Sequence, residues 1–478
     1  MKDLSRRQAI RLGAWGTLGV AIGGVGLSQT GLPWRETTTA GDELAHPAVL
    51  RSSGGRLEVD LVAGRHRTTI AGRDARVLGY GGTLPGRTWR VKPGDRIDVR
   101  LRNELDAPTN LHTHGLAVSP RGNGDNPFLS IEPGESFDYT FQLPDDHPTG
   151  VAWYHPHRHG TVADQLFGGL YGALIVEGDD VPASRERVLI ISDISLTASG
   201  DVAPASQRDV MMGREGELLL VNGQHQPEIS ARAGDSERWR VINACTSRYI
   251  RFAVPGQDVQ LLGRDMGGES TPRGISDVLL PPGGRADLLV ALSSGTSDVQ
   301  TLGYSRGGMG MMGGGLSGPA TLATLRVTGD GAAESIRLAG AQDTHDLRGR
   351  PIARARDISF TMTMGMRGGR MMDMGFDGRA FDIDRIDQGV DAGIVEDWTI
   401  SNPTPMDHPF HLHVWPMQVI EANGQPVGEP DWRDVVNVPA QGRVRVLVDF
   451  SRNPGRSVYH CHILDHEDAG MMAIVEVQ

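Results

Sequence analysis

One short stretch near the C-terminus carries a dense set of metal-binding side chains. Between His460 and Met471 the sequence reads His-Cys-His-Ile-Leu-Asp-His-Glu-Asp-Ala-Gly-Met, so one thiolate, three imidazoles and a thioether fall within twelve residues. Two histidines, a cysteine and a weak axial methionine are the ligands of copper electron-transfer sites. Side chains alternate between faces along an extended segment, which puts His460 and His462 on one face and Cys461 on the other. The stretch predicts a thiolate-bound metal joined through backbone to a histidine-bound metal.

Three further clusters repeat the His-x-His spacing. A single pair of this kind is most often two solvated or hydrogen-bonded histidines. Four pairs in one chain, one of them flanking a cysteine, indicate a metal cluster instead. The additional histidines are His112 and His114, which follow a predicted strand over 96–101, then His155, His157 and His159, and finally His408, His411 and His413.

In this order, and at these ends of the chain, the four clusters resemble the four signature motifs of the multicopper oxidases. The resemblance covers the chain beyond its leader and implies four copper ions: one of type 1, one of type 2 and two of type 3. It implies that the type 1 copper is bound by His408, Cys461 and His466, with Met471 axial. The type 2 copper then takes His112 and His411, and the type 3 pair takes His114, His155, His157, His413, His460 and His462.

The resemblance also implies a reaction, because members of this family couple one-electron oxidation of a reductant to reduction of dioxygen to water. Cys461 would pass each electron through the backbone to His460 and His462. Reduction of dioxygen consumes protons, and the resemblance points to Asp125 and Glu467 as the carboxylates that relay them. The alternative for Asp125 is a solvated loop acid, and the alternative for Glu467 is an ordinary acid at a strand end. His159 is expected to hydrogen-bond a ligand or to be solvated.

The elements that must hold these clusters are short predicted strands bounded by Gly, Pro or Asp. Examples are 187–192, 218–221, 238–242, 287–292 and 443–450, and the 64 glycines and 28 prolines suit tight turns between them. Immunoglobulin-like modules would show the same strand pattern. The metal motifs at both ends favour an all-β chain of three consecutive cupredoxin-like domains, each a Greek-key sandwich or barrel, at 45–180, 181–335 and 345–478. The trinuclear cluster is expected between the first and last domains, with the motif-free middle domain as a spacer that holds the other two in contact.

The first forty residues read as a targeting segment. Twin arginines, Arg6 and Arg7, precede a Gly-rich, modestly apolar run over 12–27, which is typical of a twin-arginine export signal. That run is too short for a membrane span. We therefore expect export by the twin-arginine machinery to the periplasm, cell envelope or medium, as a monomer. The net charge of −12 argues against nucleic acid as a partner. Cys245 is expected to pack as a small buried residue.

A methionine-rich segment bears on the reductant. Thioethers are soft ligands that select Cu(I), although methionine also fills gaps in cores. Glycine and arginine interleave here without an evident helical or strand period, so the sequence predicts a mobile exposed loop. The methionines are Met362, Met364, Met366, Met371, Met372 and Met374, with Met309, Met311 and Met312 in a second Gly-rich loop.

In the family, such insertions near the type 1 site resemble those of bacterial copper-resistance oxidases, which oxidise Cu(I). Met406, two residues before His408, matches a cuprous-site methionine of those enzymes, whereas their nearby acidic residue is replaced by Thr404, with Asp407 close by. The leading hypothesis is oxidation of Cu(I), and of phenols, in copper tolerance. The alternatives are a general laccase for phenols or aromatic amines, a non-enzymatic copper store, and a cupredoxin scaffold without enzymatic activity.

Overall fold

The computed structural model describes residues 41–308, 316–331, 345–367 and 370–478. The predicted leader, 1–40, and the second methionine loop with Met309, Met311 and Met312 lie outside these residues. Strands dominate the described part. Its α-helices are short: α1 (Val162–Gly168), α2 (Gln207–Met212) and α3 (Leu464–Asp468), and a 3₁₀ turn covers Leu347–Gly349. Among the described residues no helix is long and apolar enough to cross a membrane.

The first domain is built from two sheets, β1-β4-β9-β8-β6 and β3-β2-β5-β7. Strand β2 shows why they stack: Leu57, Val59 and Leu61 are buried and the residues between them are exposed, which is the period-two pattern of a strand with one covered face. The strands are β1 (Val49–Arg51), β2 (Arg56–Ile70), β3 (Arg73–Tyr80), β4 (Thr88–Val91), β5 (Arg96–Asn103), β6 (His112–His114), β7 (Ser136–Gln142), β8 (Gly150–His155) and β9 (Gly172–Val176).

The middle domain holds a six-stranded sheet, β11-β10-β13-β18-β15-β16, a five-stranded sheet, β12-β22-β19-β14-β17, and the small pair β20-β21. Its strands are β10 (Arg185–Ile194), β11 (Leu218–Val221), β12 (Glu228–Arg232), β13 (Ser236–Asn243), β14 (Ile250–Ala253), β15 (Asp258–Arg264), β16 (Gly267–Ile275), β17 (Val278–Leu280), β18 (Arg285–Ala291), β19 (Gly295–Leu302), β20 (Tyr304–Ser305), β21 (Leu316–Ser317) and β22 (Ala320–Thr328).

Two central strands of the middle domain, β13 and β18, are buried at every position. One face packs on the domain's own second sheet, where Trp239 and Leu288 lie in its core. The other face adjoins a mixed cluster in which Ile242 meets Trp153 of the first domain and Leu464 of the last. The middle domain therefore shares a hydrophobic core with both of its neighbours.

The last domain again has two sheets, β24-β23-β26-β31-β28-β29 and β25-β33-β32-β27-β30. Its strands are β23 (Ile352–Arg367), β24 (Arg370–Phe376), β25 (Gln388–Val390), β26 (Val395–Asn402), β27 (His408–Leu412), β28 (Met417–Ala422), β29 (Gln425–Arg433), β30 (Val435–Val438), β31 (Gly442–Asp449), β32 (Gly455–Cys461) and β33 (Met472–Val477). The predicted all-β class with three cupredoxin-like domains is confirmed, while the boundaries proposed from the sequence stay a prediction.

The prediction of a loop over the methionine-rich segment is wrong. Strands β23 and β24 form an antiparallel hairpin in which Met362 lies opposite Met374 and Met364 lies opposite Met372. The period is present in the sequence, since methionine recurs at 362, 364 and 366, but the interleaved glycines and arginines obscured it. Met374 is buried and Met362 packs, half-buried, against the core of the last domain.

Candidate metal centres

The sheets pair the four histidine motifs two by two. In the first domain β6 lies antiparallel to β8, with His112 opposite His155. In the last domain β27 lies antiparallel to β32, with His411 opposite His460 and Phe410 opposite Cys461. Backbone register alone thus brings motifs that are far apart in the sequence to neighbouring strands.

A cysteine and two histidines converge inside the last domain, a group called here the cysteine centre: His408, Cys461 and His466. Their ligand atoms all lie within 4.8 Å of one another. The Sγ of Cys461 is 3.4 Å from Nδ1 of His408 and 3.9 Å from Nδ1 of His466. The outer nitrogens are held, that of His408 2.9 Å from the Thr404 hydroxyl and that of His466 3.1 Å from the carbonyl oxygen of Met211. Both Nδ1 atoms are thereby aimed at the sulfur.

Burial sets the protonation of the cysteine centre. It raises the pKa of the Cys461 thiol, and it lowers the pKa of His408 and brings that of His466 to about 3. Neutral imidazoles have free lone pairs, and a metal ion displaces the thiol proton as it binds. Met471 is fully buried in the hydrophobic cluster that also contains Cys461. A thiolate, two imidazoles and a thioether are a donor set that fits copper.

Eight buried histidines meet at the contact between the first and last domains and are called here the histidine cluster. Several ring nitrogens face one another directly: Nε2 of His460 lies 3.0 Å from Nε2 of His157 and 3.1 Å from Nε2 of His413. Three sets of three offer ligand atoms within 4.8 Å, namely His112 with His411 and His413, His112 with His114 and His155, and His157 with His413 and His460. The eighth, His462, has its ring centroid 5.0 Å from that of His114.

Unpartnered nitrogens show that the histidine cluster fits metal ions. Among the described residues, Nδ1 of His114, Nε2 of His155 and both ring nitrogens of His462 are buried without a hydrogen-bond partner. Leaving buried polar atoms unsatisfied is costly, and metal coordination removes that cost. Burial lowers the pKa of these three histidines, so the rings are neutral and able to ligate. Imidazole suits copper.

Fixed hydrogen bonds orient the rings of the histidine cluster. Four imidazoles are held at Nδ1, which leaves Nε2 facing the cluster, whereas His114 is held at Nε2 and turns Nδ1 inward. Partners of this kind fix the tautomer and angle of a metal-binding histidine. The contacts are His112 to Asp125 at 2.9 Å, His155 to the Pro156 carbonyl at 2.8 Å, His411 to the Asp434 carbonyl at 2.8 Å, His460 to the Cys461 carbonyl at 3.0 Å, and His114 to the Asp434 carboxylate at 3.0 Å.

Both carboxylates chosen from the sequence lie against the histidine cluster. Asp125 is only 2% exposed, which excludes a solvated loop acid, and burial raises its pKa to about 7. Besides His112, its carboxylate is 3.8 Å from Nδ1 of His413. Glu467 is fully buried, 3.8 Å from Nδ1 of His460 and 3.9 Å from Nε2 of His157, and burial raises its pKa well above the usual range. Both acids can hold a proton beside the cluster.

Sequence reasoning missed residues that act on the centres from elsewhere in the chain. Asp434 contacts two members of the histidine cluster and is bound by Arg285 of the middle domain at 2.5 and 2.6 Å. Met211, whose carbonyl oxygen contacts Nε2 of His466 in the cysteine centre, also belongs to the middle domain. No motif marks these positions, because their partners are distant in the sequence. The middle domain, expected to hold the other two in contact, also contacts Asp434 beside the histidine cluster and His466 of the cysteine centre.

The methionine hairpin adjoins the cysteine centre. The ring of Phe360 stacks on that of His408 with centroids 4.9 Å apart, and Met362 follows two residues later on the same strand. Met406 is fully buried in the same core. The carboxylate of Asp407 accepts hydrogen bonds from the Tyr304 hydroxyl, the Asn437 amide and the Ala440 N–H. Met364, Met366, Met371 and Met372 are placed by strand position alone.

Two remaining predictions concern single residues. The ring of His159 packs with its centroid 4.7 Å from that of Phe381. Cys245 is 1% exposed and, like Cys461, forms no disulfide, so its expected role as a small buried residue is confirmed.

Comparison with known proteins adds independent findings. Two family models, each described as multicopper oxidase, match residues 62–180 and 352–478, stretches that contain all four histidine motifs. The chain is 26% identical over 464 residues to the multicopper oxidase mco of Staphylococcus aureus, covering 91% of this chain and 92% of that protein. It is 28% identical over 505 residues to the cell division protein FtsP of Dickeya dadantii, covering 100% and 99%.

Solved structures show the same architecture. A multicopper oxidase from Campylobacter jejuni, described as a metallo-oxidase, superposes with a TM-score of 0.83 at 29% identity, over 92% of this chain and 96% of that one. A laccase from Pediococcus acidilactici superposes with a TM-score of 0.79 at 26% identity, over 93% and 96%. At this coverage the likeness includes the middle domain, which neither family model matches.

Proposed function

This chain belongs to the multicopper oxidase family, and we propose that it is an oxidase of Cu(I), and of small phenols, that reduces dioxygen to water in copper tolerance. The observation that carries the substrate proposal is the methionine hairpin, whose strand β23 stacks Phe360 on His408 of the cysteine centre. Soft thioethers that select Cu(I) then continue along the same strand.

We propose the ligand set that the resemblance to the family implies. We assign His408, Cys461, His466 and Met471 to one type 1 copper. His112 and His411 are assigned to one type 2 copper, and His114, His155, His157, His413, His460 and His462 to two type 3 coppers. Copper held by these residues would supply one-electron transfer at the thiolate and four-electron reduction of dioxygen at the histidine cluster.

The residues between the centres give electrons a short covalent route. Cys461 belongs to the cysteine centre, while its two sequence neighbours, His460 and His462, belong to the histidine cluster. An electron entering at the Cys461 thiolate therefore crosses one residue of backbone to reach either histidine. Burial raises the pKa values of Asp125 and Glu467, so both acids can hold protons next to the ligands and would donate them during the reduction of dioxygen.

The hairpin supports Cu(I) as the reductant through cross-strand pairing. Side chains opposite each other in an antiparallel pair lie close enough to share a ligand. Met362 faces Met374 next to the core, and the strand register pairs position 364 with position 372, both methionines, one step farther along the hairpin. Met366 and Met371 continue towards its tip, and Met406 is proposed as the innermost thioether. A net charge of −12 favours the approach of cations.

Replacing methionine by leucine tests this proposal without removing the hairpin. Leucine conserves volume but has no sulfur. We expect a combined change at Met362, Met364, Met366, Met371 and Met372 to lower Cu(I) oxidation by about tenfold or more while oxidation of a phenolic dye changes less than about twofold. Met417→Leu, in the core of the same domain, is the matched control. Equal losses on Cu(I) and the dye would contradict the cuprous assignment.

A general laccase for phenols or aromatic amines is the second candidate, favoured by the superposition on the Pediococcus acidilactici laccase. In that case the methionines only capture copper, and the leucine changes leave both activities intact. The similarity to FtsP draws attention to a third possibility, a non-enzymatic copper store or scaffold. In such a protein the blue band, once bleached by a reductant, would not return in air.

Export is part of the proposal. The twin arginines and the apolar run within residues 1–40 suit the twin-arginine pathway, with the periplasm, envelope or medium as the destination. Replacing Arg6 and Arg7 by lysine is expected to leave the protein in the cytoplasm, which fractionation would detect.

A further inference from the structure

A single arginine of the middle domain contacts all three domains beside the histidine cluster. Arg285, the first residue of β18, is fully buried. Its Nε donates to the carbonyl oxygen of Val151 in the first domain at 2.9 Å, and Nη1 donates to the carbonyl oxygen of Gly283 at 3.3 Å. Both terminal nitrogens bind the carboxylate of Asp434 in the last domain, at 2.5 and 2.6 Å. The planar guanidinium has the donors to hold these acceptors at fixed angles.

A second residue of the middle domain holds the backbone at the same place. Oδ2 of Asp265 accepts from the backbone N–H groups of Asp434 at 3.3 Å and Val435 at 3.4 Å. Oδ1 of Asp265 accepts from the backbone N–H of Arg285 at 3.1 Å. The middle domain therefore fixes both the main chain and the side chain of Asp434.

Asp434 in turn touches two histidines that come from different domains. Its carboxylate lies 3.0 Å from Nε2 of His114 in the first domain, and its carbonyl oxygen lies 2.8 Å from Nδ1 of His411 in the last. One residue thus sets the angle of both rings, and any shift of Asp434 moves the two inward nitrogens together.

The groups around Arg285 and the histidine cluster are closely packed, so that even a methyl group cannot be added without displacing them. A Cβ added at Gly115 would lie 2.4 Å from Nη2 of Arg285, and one added at Gly283 would lie 2.7 Å from Nε2 of His462. Both glycines have positive φ, at 98° and 82°, so the backbone favours glycine there and the neighbouring groups approach directly.

We propose that Arg285 and Asp265 are positioning residues for the histidine cluster, acting through Asp434 on His114 and His411, so that the middle domain is a working part of the copper site. This inference rests on the proposed assignment of His114 and His411 as copper ligands. A buried ion pair adds little stability over well-packed apolar side chains, whereas its directed hydrogen bonds fix geometry. Outer partners of metal-binding histidines typically control metal affinity by about 10- to 100-fold.

The test uses Arg285→Lys in the full chain loaded with copper. Lysine keeps the charge but cannot hold acceptors on three domains at once. We expect the blue thiolate band of the cysteine centre to remain, while the copper of the histidine cluster is lost to a chelator about 10 to 100 times more readily and its electron paramagnetic resonance signal changes. Arg187→Lys is the matched control, because Arg187 is equally buried in the middle domain but pairs with Glu237 and the Ser230 carbonyl instead.

Each outcome decides the question. Full copper retention with an unchanged resonance signal in Arg285→Lys overturns the proposal, and so does an equal loss in Arg187→Lys, which would reflect general loosening. If Arg285→Lys yields no folded protein, Asp265→Asn, which keeps the side-chain size, is measured in the same way and decides by the same criteria. Failure of the unaltered chain to bind copper at the histidine cluster would instead refute the proposed function itself.

Discussion

The cysteine centre and the histidine cluster contain neighbouring residues of one strand yet are assembled differently. The cysteine centre lies within one domain: His408 and Cys461 stand on the paired strands β27 and β32, and His466 on the short helix that follows. The ligands of this centre come from one core, and a hydrogen bond between Nε2 of His466 and the carbonyl oxygen of Met211 reaches it from the middle domain.

The histidine cluster takes its rings from two domains, and Arg285 and Asp265 of a third domain hold Asp434, which contacts two of those rings. This second centre depends on how domains dock, so changes at domain contacts should affect it first.

The largest effect is expected from a substitution that interrupts electron transfer between the two centres. Cys461→Ser removes the soft thiolate of the cysteine centre but leaves the rings of the histidine cluster in place. We expect turnover to be abolished and the blue band to be absent, while the histidine cluster keeps its copper. Metal analysis and oxygen uptake on the same sample check this. Turnover near that of the unaltered chain would show that electrons do not enter through Cys461.

The second prediction concerns substitutions that should affect the histidine cluster and not the cysteine centre. Asp125→Asn and Glu467→Gln keep side-chain size but cannot supply protons, and loss of a positioned proton donor typically slows a step by about 100-fold or more. The blue band should bleach at the normal rate when reductant is added without oxygen, because the cysteine centre is untouched. Its return on admission of air should be slow. Stopped-flow absorbance measures both halves, and slowed bleaching would place these acids in electron entry instead.

A third and smaller effect is expected when a glycine beside the histidine cluster is replaced by alanine, compared with the same change at an open position. Gly283→Ala puts a methyl group against His462, whereas Gly234→Ala, also at positive φ, meets nothing within 4 Å. Both changes strain the backbone and should lower the free energy of unfolding by about 1 kcal/mol. Only Gly283→Ala should release copper from the histidine cluster. Thermal unfolding and metal analysis distinguish the two, and identical copper content would mean that the cluster tolerates displacement of this loop.

The two centres also differ in how far the sequence predicts them. Ligand types, their spacing and the two-face alternation around Cys461 are local features, so residues 460–471 indicate the cysteine centre directly. The strand-rich class follows equally from short periodic segments. The contact between Asp434 and His114 spans 320 positions, and that between Arg285 and Asp434 spans 149. No local pattern encodes such contacts, which arise only when three folded domains meet.

The methionine hairpin shows a different limit. Its period-two spacing was present in the residues, yet glycine and arginine, which are poor strand signals, led to the prediction of a loop. Pairing with the opposite strand and packing of Met362 and Met374 on the domain core determine its structure instead. Tertiary contacts overrode local propensity there.

The most direct test of the coupling between the centres is a titration of the copper-loaded chain with Cu(I) in the absence of oxygen, followed by admission of air. We expect the blue band to bleach as Cu(I) is added and to return fully in air, with one dioxygen consumed for every four Cu(I) oxidised. A band that bleaches but does not return, or returns without that uptake of dioxygen, would contradict transfer from the cysteine centre to the histidine cluster.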